Sequence, residues 1–357
     1  MNKSRHAPLL VAAALLFGCG TTPSPAPDAG GDAAMNTRRE HTFAARDFAC
    51  TDTTSTSCMT SAPTTPDTAR TVTLNGNLGG ITRAYVVDQI TLPEAASVTG
   101  RLRAAGFNLD GMDVREPSPD IADCTRRDED FVSTSEEGVV GIDNALQRFI
   151  PTIEGLLTGC PGGTTRGCLD AALRDQITQG NLVLIVEVAG IDDYTNDDAV
   201  SVQILLGQAV TAGAPMLGAD GRLASGAAYT VALSPSGTPL LLGPAYTGDI
   251  FRGRLRIRTD LLALSINTGV RQLDLTLANA EIRFNISASD LTTGMIGGAL
   301  RNSDIITAAT MVSAGSEGLV RAAVESAADI APTSDPATCG MVSVGITFEA
   351  TTANLTR

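Results

Sequence analysis

Two clusters of oxygen-bearing side chains and one run of arginines are the residues in this chain whose types and spacing could do chemistry. Asn108, Asp110 and Asp113 surround Gly111 in the segment Asn108-Leu109-Asp110-Gly111-Met112-Asp113, the kind of tight turn that converges amide and carboxylate oxygens on calcium. The match to an EF-type loop is incomplete, with Gly106 at the first ligand position and Pro117 at the last. A solvated Asx turn is the stronger alternative.

The second cluster, Asp192, Asp193, Asp197 and Asp198, lies between the apolar runs LVLIVEVAG and AVSVQILLG, where a hairpin tip or strand connection is expected. Four aspartates on one loop repel each other unless water, salt or a bound cation screens them. A solvated turn is again favoured. Calcium gains ground only if this loop and Asp110 and Asp113 fall at the same end of the fold.

Arg252, Arg254, Arg256 and Arg258 alternate with Phe251, Gly253, Leu255 and Ile257, so a single strand would place all four guanidiniums on one face. Such a stripe could grip the phosphates or carboxylates of an envelope polysaccharide or lipid. The favoured alternative is a solvated sheet face whose arginines pair across strands with carboxylates such as Asp274 or Glu281.

Catalysis finds little support. Beyond an N-terminal leader the only histidine is His41, which leaves no second imidazole for a zinc site and a poor basis for a Ser-His-Asp arrangement. Ser316 in Ala314-Gly315-Ser316-Glu317-Gly318 reads as a helix N-cap rather than a nucleophile. No Walker loop, dinucleotide fingerprint or His-Glu-x-x-His occurs. Tryptophan is absent and aromatics make up 4% of residues, which disfavours ring-based sugar binding. Nucleic acid is excluded as a partner on charge: net charge is −14, and −16 once Lys3 and Arg5 leave with the leader.

The elements that must position these residues are mostly strands. Short alternating or β-branched runs are expected at Arg70 to Leu74, Arg83 to Leu92, Leu182 to Ala189, Ala199 to Leu206, Tyr229 to Leu233 and Pro239 to Leu242. Ile250 to Arg258, Leu261 to Ile266, Gln272 to Ala278, Glu281 to Ser287 and Met341 to Ala350 follow. Four helices interrupt them: one capped by Asp143, one over Leu169 to Thr178, one over Asp304 to Met311 after Ser303, and one after Ser316 with Leu319, Val320, Ala323, Val324 and Ala327 inward. The expected fold is mainly β with accessory helices (α+β), a β-sandwich or curved antiparallel sheets.

Residues 1–18 have a basic start, an apolar run from Leu9 to Phe17 and the ending Leu16-Phe17-Gly18-Cys19. That pattern resembles a lipobox, which implies a lipoprotein signal peptide and a lipid-bearing Cys19. Residues 19–69 read as a Pro/Ala/Thr-rich tether and 70–357 as the globular domain, with a sub-boundary near 210–228. Six further cysteines, an even number in an exported chain, suggest three disulfides: Cys50–Cys58, Cys160–Cys168 and, by remainder, Cys124–Cys339.

The strand ending Ile90-Thr91-Leu92-Pro93, the segment Phe107-Asn108-Leu109-Asp110-Gly111 and the helix start Gly141-Ile142-Asp143-Asn144-Ala145-Leu146 together resemble a group of uncharacterised myxobacterial cell-envelope lipoproteins, over roughly residues 83–300. Shorter relatives run almost directly from the Leu-Asp-Gly to the Asp-Asn; this chain inserts residues 112–140. The resemblance implies no known activity. The expected function is therefore an outer-membrane lipoprotein, anchored in the membrane by lipid, acting as a non-catalytic structural or ligand-binding surface module with calcium as its one suggested cofactor. An envelope polysaccharide or a protein is the expected partner. A carboxylate-dependent hydrolase of envelope polysaccharide and a carrier of lipid or lipopolysaccharide are the alternatives.

Overall fold

The computed structural model describes residues 80–92, 102–109, 130–134, 139–148, 150, 167–210, 215–234, 236–237, 239–267, 272–288, 290–312, 317–332 and 339–356. Eight strands close on one another: β1 (Ile81–Thr91), β5 (Leu184–Ile191), β6 (Asn196–Ala209), β8 (Tyr246–Phe251), β9 (Arg254–Asn267), β10 (Gln272–Asn285), β11 (Asp290–Arg301) and β13 (Cys339–Thr356). Each is antiparallel to its neighbours in that order, and β13 pairs back with β1 from Ala84↔Ala353 to Thr91↔Thr347. The result is a closed eight-stranded antiparallel barrel, which corrects the expected sandwich or curved sheet. A sandwich leaves edges on two separate sheets, whereas pairing the first strand with the last removes them.

Register shows which side chains share the lumen. Directly paired residues lie on the same face, and the chain of pairs Ile257↔Ile282↔Ile296↔Ile346 runs one way round from the buried face of β9. The opposite way passes Gly248, Val200, Val202 and Val188. Both routes arrive at the face carrying Tyr85, so the lumen is apolar throughout these pairs. Phe284 and Phe348 meet edge to face at 6.1 Å. Gly294 lies between them in register, where a Cβ would overlap the Phe348 ring.

The outward faces are polar or covered. β6 alternates buried Val200, Val202 and Ile204 with half-buried Ser201 and Gln203, as a half-buried strand should. α1 (Cys168–Thr178) packs near β1 through Leu169, Leu173 and Ile177, buried at helical spacing. The Asp170 carboxylate accepts the Leu92 amide at 2.8 Å. Between β6 and β8, β7 (Ala227–Val231) pairs with the end of β6 and in parallel with the end of β13. α2 (Asn302–Val312), α3 (Glu317–Ala327) and β12 (Ile330–Pro332) fill the connection from β11 to β13. A small separate sheet of β2 (Arg103–Ala104), β3 (Phe131–Ser133) and β4 (Val140–Ile142) lies within the connection from β1 to β5.

Several local expectations change. Ile250 to Arg258 is a hairpin, not one strand, turning at Arg252 (φ 52°) and Gly253 (φ 77°), the positive-φ pair that two-residue hairpins use. Gln272 to Ala278 and Glu281 to Ser287 merge into β10, with a register shift around Asn279 (φ 47°). β11 was not expected at all, since its glycines lower strand propensity. Of the expected inward face of α3 only Leu319 departs, 66% exposed, while Val320 and Val324 are buried and Ala323 and Ala327 pack half-buried against the core. None of the three expected disulfide pairs is observed among the described residues, because each has at least one cysteine outside them. Cys339 is disulfide-bonded; Cys50, Cys58, Cys124 and Cys160 lie outside the described residues, and of Cys168 only the backbone is described.

Candidate functional site

The segments that carry the family resemblance form a clamp on the outside of β11 and β13. Phe107 bridges to Asp143, and the Asp143 carboxylate accepts the Leu109 amide at 2.6 Å. Asn144 donates to the carbonyls of Ala105 at 2.6 Å and Gly345 at 3.0 Å, and Gln147 donates to Arg103 at 3.1 Å. The helix start is capped by Asn144, whose Oδ1 accepts the Gln147 amide at 3.3 Å, rather than by Asp143. On the barrel side, Ser343 Oγ accepts the Ala145 amide at 2.7 Å and donates to Asp329.

All four clamp side chains, Asp143, Asn144, Gln147 and Ser343, are buried to within about 1% exposure. A Cβ at Gly345 would overlap the Ala105 carbonyl, and one at Gly297 the Phe107 ring. Glycines here admit a second layer of backbone against the sheet. Asp143, Asn144, Ser343 and the Gln147 amide nitrogen all bond to backbone, with Gln147 Oε1 buried without a partner, so the arrangement docks the connection onto the barrel rather than presenting an acid and a base to solvent.

Asn108 belongs to this clamp; Asp110 and Asp113 lie outside the described residues. The clamp reaches β13 at Ser343 and Gly345, beyond the Thr347↔Thr91 pair where β1 ends. The aspartate hairpin sits beside Ile81↔Ile191, where β1 begins. Opposite ends of β1 separate Asn108 from the hairpin, so it and the hairpin do not share a cation. At the hairpin, Asp197 accepts the amides of Asp192 at 2.7 Å and Ala199 at 3.1 Å, and Asp193 accepts that of Thr195 at 2.7 Å. The bonds to Ala199 and Thr195 are Asx turns, and the bond from Asp192 closes the tip across the hairpin. Asp198 is exposed on the same tip, and no group of three His, Cys, Asp or Glu among the described residues could hold a metal ion.

The arginine stripe is shorter than expected and is engaged by carboxylates. Arg252 sits on the hairpin turn, over the Phe251 ring; Arg254, Arg256 and Arg258 lie on β9 opposite Asn285, Arg283 and Glu281. Arg258 Nε meets Glu281 Oε2 at 3.1 Å and Arg256 Nη2 meets Asp249 Oδ2 at 3.4 Å. Glu281 also pairs with Arg283, whose guanidinium lies 4.9 Å over the Phe107 ring. Burial pushes the Glu281 carboxyl up, but the charges of Arg283, Arg258 and Arg256 outweigh it and hold the group below the usual carboxylate range. This is a cross-strand ion network, not an open anion grip.

A fourth cluster was not anticipated. Asp88 occupies the register shift between Val87 and Gln89 of β1, and Arg222 binds it in a fork, Nε to Oδ2 at 3.0 Å and Nη2 to Oδ1 at 2.7 Å. Arg222 Nη1 reaches Glu349 Oε2 at 2.8 Å. On β7, Tyr229 is wholly buried, and its hydroxyl has no hydrogen-bond partner. One signal was present in sequence: a lone aspartate inside the apolar run of β1, a residue that is seldom buried unless paired.

No family model, curated protein or solved structure matches the chain.

Proposed function

We propose that this protein is a non-catalytic envelope module, held at the outer membrane by lipid on Cys19. One observation carries the non-catalytic part: at the clamp Asp143 and Asn144 hold backbone, and the buried Glu281 is held between Arg258 and Arg283. The barrel also has an apolar lumen and an outer face bearing Arg256, Arg258, Glu281 and Asp249. A membrane-spanning barrel needs the opposite polarity, so attachment through lipid is the consistent route. Contact between Phe284 and Phe348 inside the lumen favours a filled barrel over a lipid carrier.

The test is expression of the full chain beside Cys19→Ser, read by fatty-acid labelling and detergent phase partition. Labelling and membrane recovery of the parent, both lost in Cys19→Ser, are expected. Equal partition of the two without label would overturn the anchor. Calcium stabilisation rests on Asn108, Asp110 and Asp113; its check is a rise in melting temperature with calcium that disappears in Asp110→Asn.

A further inference from the structure

Charge is spread unevenly over the chain. The whole protein carries 39 acidic and 25 basic side chains, a net charge of −14, yet residues 199–248 contain only Asp220 and Arg222. Arg222 is held by Asp88 and Glu349, which leaves Asp220, exposed on the turn beside it, as the other charge of the stretch.

The same stretch exposes aliphatic surface. Of the nine large hydrophobic side chains that stand exposed among the described residues, five belong to it: Val210, Met216, Leu217, Leu233 and Leu241. Met216 is 61% exposed and Val210 53%. Backbone hydrogen bonds hold these positions near one another. Ala224 donates to the Met216 carbonyl at 2.8 Å, Ala227 to that of Ala224 at 3.3 Å and Val210 to that of Ala228 at 3.2 Å. Met216, Leu217 and Val210 therefore gather around the start of β7, with exposed Ala219 and Ala228 beside them. Leu241 bridges to Leu205 of β6 and Leu233 to Pro239, which carries the uncharged surface along β6 and β7 toward β8. Depletion of charge around exposed aliphatic and methionine side chains marks the centre of a protein interface.

The lack of charge also selects the occupant. A basic partner is drawn to the acids elsewhere on this chain, and an anionic lipid surface is held by lysine and arginine, of which this stretch has only the paired Arg222. Two copies of so acidic a chain repel through their charged sides and can meet here without opposing like charges. We propose that this face is where a second copy of the chain docks, in a two-fold dimer centred on Val210, Met216 and Leu217. A two-fold contact sets one patch against itself, so a neutral patch is its own complement. With no aromatic or arginine anchor at the centre, the dimer is a weak one. None of this depends on how the chain is anchored, so the anchor reading can fail and leave it standing.

Sedimentation equilibrium of the full chain carrying Cys19→Ser, which keeps lipid out of the measurement, follows association over about 1 µM to 1 mM. A monomer–dimer equilibrium is expected. Raising salt from about 0.05 to 0.5 M should strengthen it severalfold, because salt screens the repulsion between acidic copies and breaks no ion pair in the contact. Met216→Asp with Leu217→Asp should weaken it about tenfold or more with the melting temperature kept. Leu319→Asp, at a comparably exposed position on α3, should leave it unchanged. A monomer throughout, a dimer that salt dissociates, one that survives the double substitution, or one that Leu319→Asp weakens equally overturns the proposal. So does binding of the monomer to vesicles of neutral lipid that the double substitution abolishes, which would give the face to a membrane. If the double variant does not fold, a benzophenone side chain placed at Ala219 takes over the test. Photo-crosslinks between two full chains in intact cells are expected, and crosslinks to other proteins alone, or none, overturn the proposal.

Discussion

The clamp and the aspartate hairpin contain the same chemical groups and use them in opposite ways. Asp143, Asn144 and Gln147 are buried and tie one stretch of backbone to another across the barrel wall. Asp192, Asp193, Asp197 and Asp198 sit at or near the surface, and Asp193 and Asp197 hold the turn that carries them. The density of acids in sequence is higher at the hairpin, yet the energy at stake is higher at the clamp, because a polar group away from water depends wholly on its partner. What separates the two is convergence of distant segments, not local composition.

The sharpest way to break that contrast is to fill the space the clamp occupies. Gly345→Ala sets a methyl against the Ala105 carbonyl, where neither backbone can retreat, and should cost about 3 kcal/mol or more in denaturant unfolding. A wild-type midpoint would show the approach to be loose. Next comes Glu281→Gln, which leaves Arg258 and Arg283 beside a neutral amide and should cost about 3 kcal/mol at neutral pH. The pH dependence has a definite sign. With its folded-state pKa held below the unfolded value of about 4.3, Glu281 contributes stability above that value and loses it as pH falls through the folded pKa. The variant should therefore show a shallower loss of melting temperature on acidification than the parent; parallel profiles would contradict the network.

Asn144→Ala removes the donor to both the Ala105 and Gly345 carbonyls and is expected to cost about 2 kcal/mol, with faster amide exchange on the connection. Smallest is Asp197→Ala, which deletes two exposed or half-exposed turn hydrogen bonds and should cost about 0.5 kcal/mol. Equal losses for Asn144→Ala and Asp197→Ala would erase the distinction between the two regions.

Much of the strand content was legible because alternation reports burial directly: β6 shows it in Val200, Val202 and Ile204 against Ser201 and Gln203. The alternation of the arginines was also visible, and Glu281 was recognisable as a cross-strand partner. Arg252 misled because hairpin turns of this shape are usually marked by asparagine or aspartate before glycine. β11 was hidden for a related reason. Gly294 and Gly297 are there for Phe348 and Phe107, residues remote in sequence, so their purpose has no local trace. Barrel against sandwich was decided by Ala84 meeting Ala353, a pairing that no window of sequence contains. Asp88, Arg222 and Glu349 were unreadable together on the same grounds.

The pairing of β1 with β13 also orders events in time. A barrel in which β1 pairs with β13 cannot close before β13 has been made. Until Thr347 to Ala353 arrive, β1 has one partner edge filled by β5 and the other bare. Bare edges attract other chains, and contacts this far apart in sequence form slowly. The emerging chain therefore passes through an open stage that ends only when β13 is in place, and a deletion of β13 should leave an aggregation-prone sheet instead of a slightly smaller barrel.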